Sequence, residues 1–340
     1  MSERGRQAKK PSQIPMPGWK DISGRVFAEI GNDRVLLTAA GVTFYLLLAF
    51  VPGLTALVSV IGLFADPATL ENRLTALENI VPSGALDILR EQITRIAGQG
   101  QATLGLAFAA SLLVALWSAN AGMKALFEAM NIAYDETEER GFVRLTLTTL
   151  GFTLSALVGV ALLLGVTVVM PAVLQSVGLG QSVEWLIRGL SYLGVLVLAS
   201  IAAAALYRWG PSRANAQWKW ITPGMLLAVV VVAAVSVLFT WYVANFGSYN
   251  ETYGSLGALI GFLTWMWICV MILIVGAEIN AEMEHQTAAD TTTAPARPLG
   301  ARGGNMADHV AGGVPRRSPS PPSSASDGWS NNRVPRARPQ

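Results

Sequence analysis

The chain has 340 residues, of which 52% are hydrophobic and only 14% carry a charge. Ordinary soluble domains carry a charge on about 25% of their residues, so this composition excludes that class and indicates a membrane protein. The net charge of +2 leaves no basic footprint of the kind that nucleic-acid-binding proteins show. The single cysteine, Cys269, excludes a disulfide within the chain.

The N-terminal segment, residues 1–34, is predicted to lie in the cytoplasm. Residues 1–18 are polar and rich in proline, and we expect them to be disordered. Residues 19–34 predict a short amphipathic helix at the cytoplasmic surface. Its predicted apolar face consists of Ile22, Val26, Phe27 and Ile30.

Six charge-free windows follow, and each can hold one membrane-spanning helix of about 20 residues. They cover residues 35–65, 96–123, 145–183, 189–207, 220–250 and 252–277. The sequence therefore predicts an all-α polytopic membrane protein with six transmembrane helices in a domain of residues 35–284. The first apolar run lacks a small-residue cleavage pattern, so we expect it to remain as a signal anchor.

The segment between the first two spans is predicted to form an extracytoplasmic amphipathic helical hairpin. Its helices are expected at residues 68–80 and 85–97, broken at Val81-Pro82-Ser83-Gly84. The hairpin either lies on the outer leaflet or caps the bundle.

The distribution of basic residues predicts the orientation. With six spans, only four of the 24 Lys and Arg residues fall on the side opposite the termini: Arg73, Arg90, Arg95 and Arg188. Because basic residues accumulate on the cytoplasmic side, both termini are predicted to be cytoplasmic. A basic cluster near the N-terminus either contacts anionic lipid headgroups or only fixes this topology. It contains Arg4, Arg6, Lys9 and Lys10.

Residues 285–340 are rich in Thr, Ala, Pro, Ser, Gly and Arg and show almost no apolar periodicity. This composition predicts a disordered cytoplasmic tail. Truncation after Gln286 is therefore expected to leave folding and stability unchanged.

Signals for enzymatic chemistry are weak. The two histidines, His285 and His309, lie at or beyond the end of the last span, and no His/Cys/Asp cluster has metal-ligand spacing. The spans carry no charge in their middles, which disfavours a proton relay through a buried carboxylate. The sequence predicts a protein that is not an enzyme and has no catalytic residues, cofactor or metal.

Neutral polar and aromatic residues are the candidate functional groups. Two Asn and two Tyr at the start of the last span predict an extracytoplasmic mouth, with an interfacial aromatic anchor as the alternative. The mouth and the predicted substrate path comprise Asn245, Tyr249, Asn250, Tyr253, Trp265, Trp267, Tyr45 and Pro52. For Trp265 and Trp267 the alternative to lining a groove is packing within the bundle. Pro52 is also expected to kink the first span.

Two further features of the last span are structural candidates. Gly254, Gly257 and Gly261 have the small-residue spacing that lets helices approach closely. Glu278 is predicted at the cytoplasmic end, either as a plain interfacial charge or paired with Arg208 or Lys124.

Several motifs together resemble the BrkB/YihY family of bacterial membrane proteins. They are residues 39–45 (AAGVTFY) with Pro52, residues 116–119 (LWSA), residues 129–134 (AMNIAY), residues 245–250 (NFGSYN), residues 253–257 (YGSLG) and residues 276–282 (GAEINAE). The resemblance covers roughly residues 19–284. It implies a six-span protein of the bacterial cytoplasmic (inner) membrane, with both termini in the cytoplasm. It implies no established activity, and the label ribonuclease BN that members have carried finds no metal ligands or acid/base pair here.

Three functions compete. The first is transport or translocation of a lipid-like or amphipathic envelope substrate, with membrane lipids as partners. The second is a non-catalytic scaffold that binds envelope proteins. The third, an enzyme acting on nucleic acid, is the weakest, and no nucleic-acid partner is predicted.

Overall fold

The computed structural model describes residues 4–62, 104–164, 181–245, 255–293 and 295–312. Within these residues all regular elements are helices, and the single β-bridge joins Ala216 and Thr292. The all-α prediction is thus confirmed for the described part of the chain. The predicted outer hairpin lies outside these residues.

A short 3₁₀ turn, Pro11–Gln13, precedes the helices. The helices are α1 (Met16–Asn32), α2 (Val35–Gly62), α3 (Leu104–Ala133), α4 (Phe142–Leu164), α5 (Gln181–Trp209), α6 (Trp218–Asn245), α7 (Ser255–Gln286) and the one-turn α8 (Asn305–Asp308).

Four helices of the described residues, α4 to α7, are long and apolar enough to cross a membrane. A fifth candidate is α2 together with α1, which meets it at a bend of 60°. Helix α1 buries Ile22 and Val26 but leaves Phe27 80% exposed. Phe27 therefore does not lie on the buried face of α1 with Ile22 and Val26, although its spacing predicted that it would.

The long helices meet at one end of the bundle. There Lys124 near the end of α3 donates to Thr146 at the start of α4 (3.1 Å), and the Gly224 amide at the start of α6 donates to Asn280 near the end of α7 (2.9 Å). Residues 4–32, 287–293 and 295–312 lie at this same end. We call it the closed end, because most of the buried core is here.

The closest helix approach joins α6 and α7. A Cβ at Gly276 would collide with the Tyr207 hydroxyl, and one at Gly224 would collide with the Gly276 carbonyl. At Gly261, by contrast, a Cβ would meet only Phe239 at 3.7 Å, an ordinary contact. Among the described glycines the tight contact is therefore at Gly224 and Gly276, about four turns beyond Gly261. Gly254 lies outside the described residues, as do the surroundings of Gly257.

The tail differs from its prediction, because residues 287–293 and 295–312 pack against the closed end. The Thr287 hydroxyl donates to the Ala8 carbonyl (2.7 Å), the Gln217 amide to the Thr291 carbonyl (2.8 Å), and the Asn305 amide to the Glu136 carboxylate (2.6 Å). The tail thus ties together the N-terminal segment, the loop between α5 and α6, and the loop between α3 and α4.

Two side chains organise the tail internally. Arg302 is 4% exposed and donates to the carbonyls of Ala288, Ala289, Arg297 and Ala307. The backbone amides of Gly300, Arg302 and Gly303 donate to the Asp308 carboxylate. Burial alone would raise the pKa of this carboxyl, but these hydrogen bonds hold the pKa below its usual range. Hydrogen bonds rather than apolar periodicity order this segment, which is why its composition suggested disorder.

We expect truncation after Gln286 to destabilise the protein. The change removes the inter-segment hydrogen bonds, each worth about 0.5–1.5 kcal/mol, and should lower the Tm by about 5 °C or more. The matched control is truncation after Gly312, which keeps every described tail contact. Equal melting temperatures for the two truncations in detergent would contradict the packed tail.

Glu136 is expected to make stability depend on pH. Burial raises its pKa from 4.5 to about 7, against the opposing effects of the Asn305 amide and Arg213. The folded state thus favours the protonated form of Glu136. Its contribution to the free energy of unfolding is complete below the ordinary pKa of 4.5 and is lost as the pH rises through about 7. Wild-type Tm should fall over this window relative to Glu136→Gln, which does not titrate. The exposed Glu128→Gln is the control, and a Glu136→Gln profile parallel to wild type would refute the assignment.

Candidate functional site

The predicted extracytoplasmic mouth falls largely outside the described residues. Tyr249, Asn250 and Tyr253 lie outside them, and of Asn245 only the backbone, at the end of α6, is described. The mouth therefore remains a prediction.

The two tryptophans of the predicted path join helices. The Trp265 indole N–H donates to the Ser236 hydroxyl of α6 (3.1 Å), and the Trp267 indole N–H donates to the Leu36 carbonyl of α2 (2.9 Å). Each indole N–H thus has an acceptor on a neighbouring helix. The structure uses both rings to hold α7 against its neighbours.

Tyr45 and Pro52 both lie on α2. Tyr45 is 47% exposed on the outside of the bundle and stacks edge-to-face with Phe44. Helix α2 continues through Pro52 to Gly62.

Glu278 lies at the closed end and is completely buried. Neither predicted partner bonds to it: Arg208 donates to the Ala216 carbonyl, and Lys124 donates to Thr146. Charged groups that interact with Glu278 include Asp33, Glu29 and Glu282, all of which are carboxyls.

A buried ion pair that the sequence did not reveal fixes the last turn of α7. Arg213 donates to both carboxylate oxygens of Glu284 (2.9 Å each), and neither side chain is exposed. The Thr291 hydroxyl donates to the same carboxylate (2.8 Å), and the Arg213 guanidinium lies 4.1 Å from the centroid of the Tyr134 ring. Burial opposes the charge on Arg213, but Glu284 outweighs it, so the pKa of Arg213 is raised.

Arg25 of α1 forms the second ion pair on α7. It donates to the Glu282 carboxylate, to the Glu282 carbonyl (3.2 Å) and to the Gln286 side chain (2.8 Å). His285 Nδ1 lies 3.3 Å from the Glu282 carboxylate. A sequence signal existed: carboxylates in the last turns of a helix oppose its dipole and require cations nearby.

The loop between α3 and α4 is clamped in the same manner. Arg140 donates to Glu138 and to the carbonyls of Trp209 (3.0 Å) and Gly210 (2.7 Å) at the end of α5. Burial alone would raise the pKa of Glu138, but hydrogen bonds from Arg140 and Asn131 lower it to about 2. The polar groups of the closed end therefore serve to bind segments together.

Among the described residues no group of three or more His, Cys, Asp or Glu side chains is placed to hold a metal ion.

The candidate spans leave most of their side chains uncovered by the described protein, as helices that face lipid do. In each of the four candidate spans only 17% to 22% of the residues are buried, whereas the α7 residues from Gly276 to Glu278 and from Asn280 to Glu284 are all buried. Helix α4 packs chiefly on α3, and α5 packs chiefly on α6, so α4 and α5 have limited contact with each other. The described helices thus form two groups that join through α7.

Comparisons with known proteins agree with this description. A model of the family described as virulence factor BrkB matches residues 26–300. The putative ribonuclease-like protein YfkH of Bacillus subtilis is 30% identical over 273 residues, which cover 77% of this chain and 93% of the relative. The UPF0761 membrane protein VV0203 of Vibrio vulnificus is 26% identical over 271 residues, covering 76% and 82%. No solved structure matches. The resemblance seen in the motifs is confirmed, and the chain belongs to the BrkB virulence-factor family of membrane proteins.

Proposed function

We propose that this protein moves a lipid-like or amphipathic envelope substrate across the bilayer. The observation that carries the proposal is the grouping of the helices: α4 packs chiefly on α3, α5 packs chiefly on α6, and the described parts of α4 and α5 share few contacts. A lateral gap between two helix groups would let a substrate with an apolar tail enter from the lipid phase.

The walls of this gap suit an acyl chain. Both helices are covered with exposed apolar side chains and carry no exposed charge in their described span interiors. On α4 these are Leu147, Leu154, Val158, Val160 and Leu162, and on α5 they are Leu190, Leu193, Leu196, Val197 and Ile201. The hydroxyls of Ser155 and Ser200 donate to carbonyls one turn back in their own helices (2.8 and 2.7 Å), so they leave few free donors for a polar substrate.

We further propose that α2 to α7 form six spans of the bacterial inner membrane, with both termini in the cytoplasm. Helices α2 and α3 have 28 and 30 residues, or more than 40 Å at about 1.5 Å per residue, which exceeds the roughly 30 Å hydrocarbon core. Successive helices run alternately toward and away from the closed end, and this alternation supports six passes. The basic residues there, including Arg25, Arg208 and Arg213, support its cytoplasmic position.

The proposal predicts protein-dependent transfer of a fluorescent phospholipid between the leaflets of reconstituted vesicles. In a Cys269→Ala background, Val158→Cys and Leu193→Cys should be labelled in detergent with a bulky maleimide before reconstitution. Each label obstructs the gap and should slow transfer at least several-fold. The same label on Leu37→Cys, which is exposed on α2, should leave transfer unchanged.

Absence of transfer in wild-type vesicles, or an equal loss with all three labels, would refute the translocation mechanism. With a folded protein, absent transfer would favour the non-catalytic scaffold instead. The names of the UPF0761 relatives specify no reaction, so the vesicle assay tests the mechanism without assuming an enzymatic product.

A further inference from the structure

An open cavity of about 390 Å³ lies at the closed end, and no residue of α4 or α5 lines it. It is bounded by the N-terminal segment, α1, the last turn of α7 and the end of the packed tail. Its charged lining consists of Arg4, Arg6, Lys20, Arg25 and Asp21. Four cations therefore face one carboxylate around a single cavity.

The cations are not fully neutralised. Arg4 pairs with Asp21 (3.2 Å), and Arg25 pairs with Glu282. Arg6 and Lys20 have no side-chain partner within the described part of the chain. The cavity thus carries about two uncompensated positive charges, which complement the negative charge of about -1.5 to -2 on a phosphate group.

The cavity is held in place by the chain around it. Arg25 is fixed by Glu282 and by Gln286 (2.8 Å), and the Gln286 side chain donates to the Arg4 carbonyl (2.6 Å). The Ala288 amide donates to the Arg6 carbonyl (2.8 Å). Gly312, at φ +80°, leaves room for the Arg6 guanidinium, which a Cβ there would meet at 2.5 Å. Three separated segments therefore preorganise the basic groups.

The position of α1 suits a ligand at the membrane surface. Helix α1 leaves α2 at 60°, and α2 begins with the exposed apolar residues Leu36 and Leu37. Phe27 and Met16 on the outer face of α1 are 80% and 73% exposed, as expected of a helix that rests against the bilayer surface. The cavity opens beside Lys20 and Gly24 of this helix.

We propose that this cavity binds a phosphate group, carried either by an anionic phospholipid headgroup or by a free phosphate. One guanidinium group can donate two parallel hydrogen bonds to phosphate oxygens, and an ammonium group adds a compact positive charge. The structure also separates the N-terminal basic cluster into two parts. Arg4 and Arg6 line the cavity, while Lys9 and Lys10 are exposed outside it.

The test uses the full chain in a zwitterionic detergent and two probes: inorganic phosphate and dioleoyl phosphatidic acid. Binding is measured by calorimetry for phosphate and by native mass spectrometry for the lipid. The cavity variant is Arg6→Gln with Lys20→Gln, and the matched control, Lys9→Gln with Lys10→Gln, removes the same charge from the same surface. Loss of two charge-assisted hydrogen bonds should weaken binding by about tenfold or more in the cavity variant, with the control unchanged.

The two probes identify the source of the phosphate. Phosphate binding that is lost only in the cavity variant supports a free phosphate ligand, and selective loss of phosphatidic acid alone supports a lipid headgroup. Equal loss in the cavity variant and the control would show nonspecific attraction and overturn the proposal, as would no binding of either probe. If the Tm of the double variant is lower than that of wild type, binding is measured instead with the single variant Lys20→Gln, which changes an exposed residue.

Discussion

The structure depends on burying the charged end of α7. Glu282 and Glu284 are each at most 1% exposed, although charges removed from water cost several kcal/mol each unless they are paired. They also lie in the last turns of a helix, where the dipole disfavours negative charge. Arg25 and Arg213 supply the compensating cations for Glu282 and Glu284. Because these arginines come from α1 and from the loop between α5 and α6, pairing them brings distant segments to one place.

This constraint explains the unequal packing of the molecule. Hydrogen bonds and ion pairs hold the closed end, so the membrane half is not required to supply all of the cohesion between helices. Helix α7 contacts α1, α2, α3 and α6 and joins the two groups of helices. The basic cavity also lies at the closed end, beside the Arg25–Glu282 pair.

Apolar, charge-free windows were sufficient to predict helices in each of the six regions, because hydrocarbon permits few alternatives for a long apolar segment. The tail was wrongly expected to be disordered up to residue 312, because Arg302, Asp308 and the threonines hold it by hydrogen bonds that leave no periodic pattern. The Arg213–Glu284 pair joins residues 71 positions apart, and no local spacing encodes such a contact. Glycine spacing did not point to Gly276 either, because the close approach there depends on the Tyr207 hydroxyl and on Gly224 of other helices; close packing at Gly257 stays a prediction.

A double-mutant cycle on Arg213 and Glu284 tests the central claim most directly. Unfolding free energies of the detergent-solubilised protein should be measured for Arg213→Met, Glu284→Met and the double variant. Each single variant leaves one buried charge unpaired and should lose about 3–5 kcal/mol, while the double variant should lose much less than the sum of the two. Single losses below about 1 kcal/mol that simply add would contradict a closed end organised by buried charges on α7.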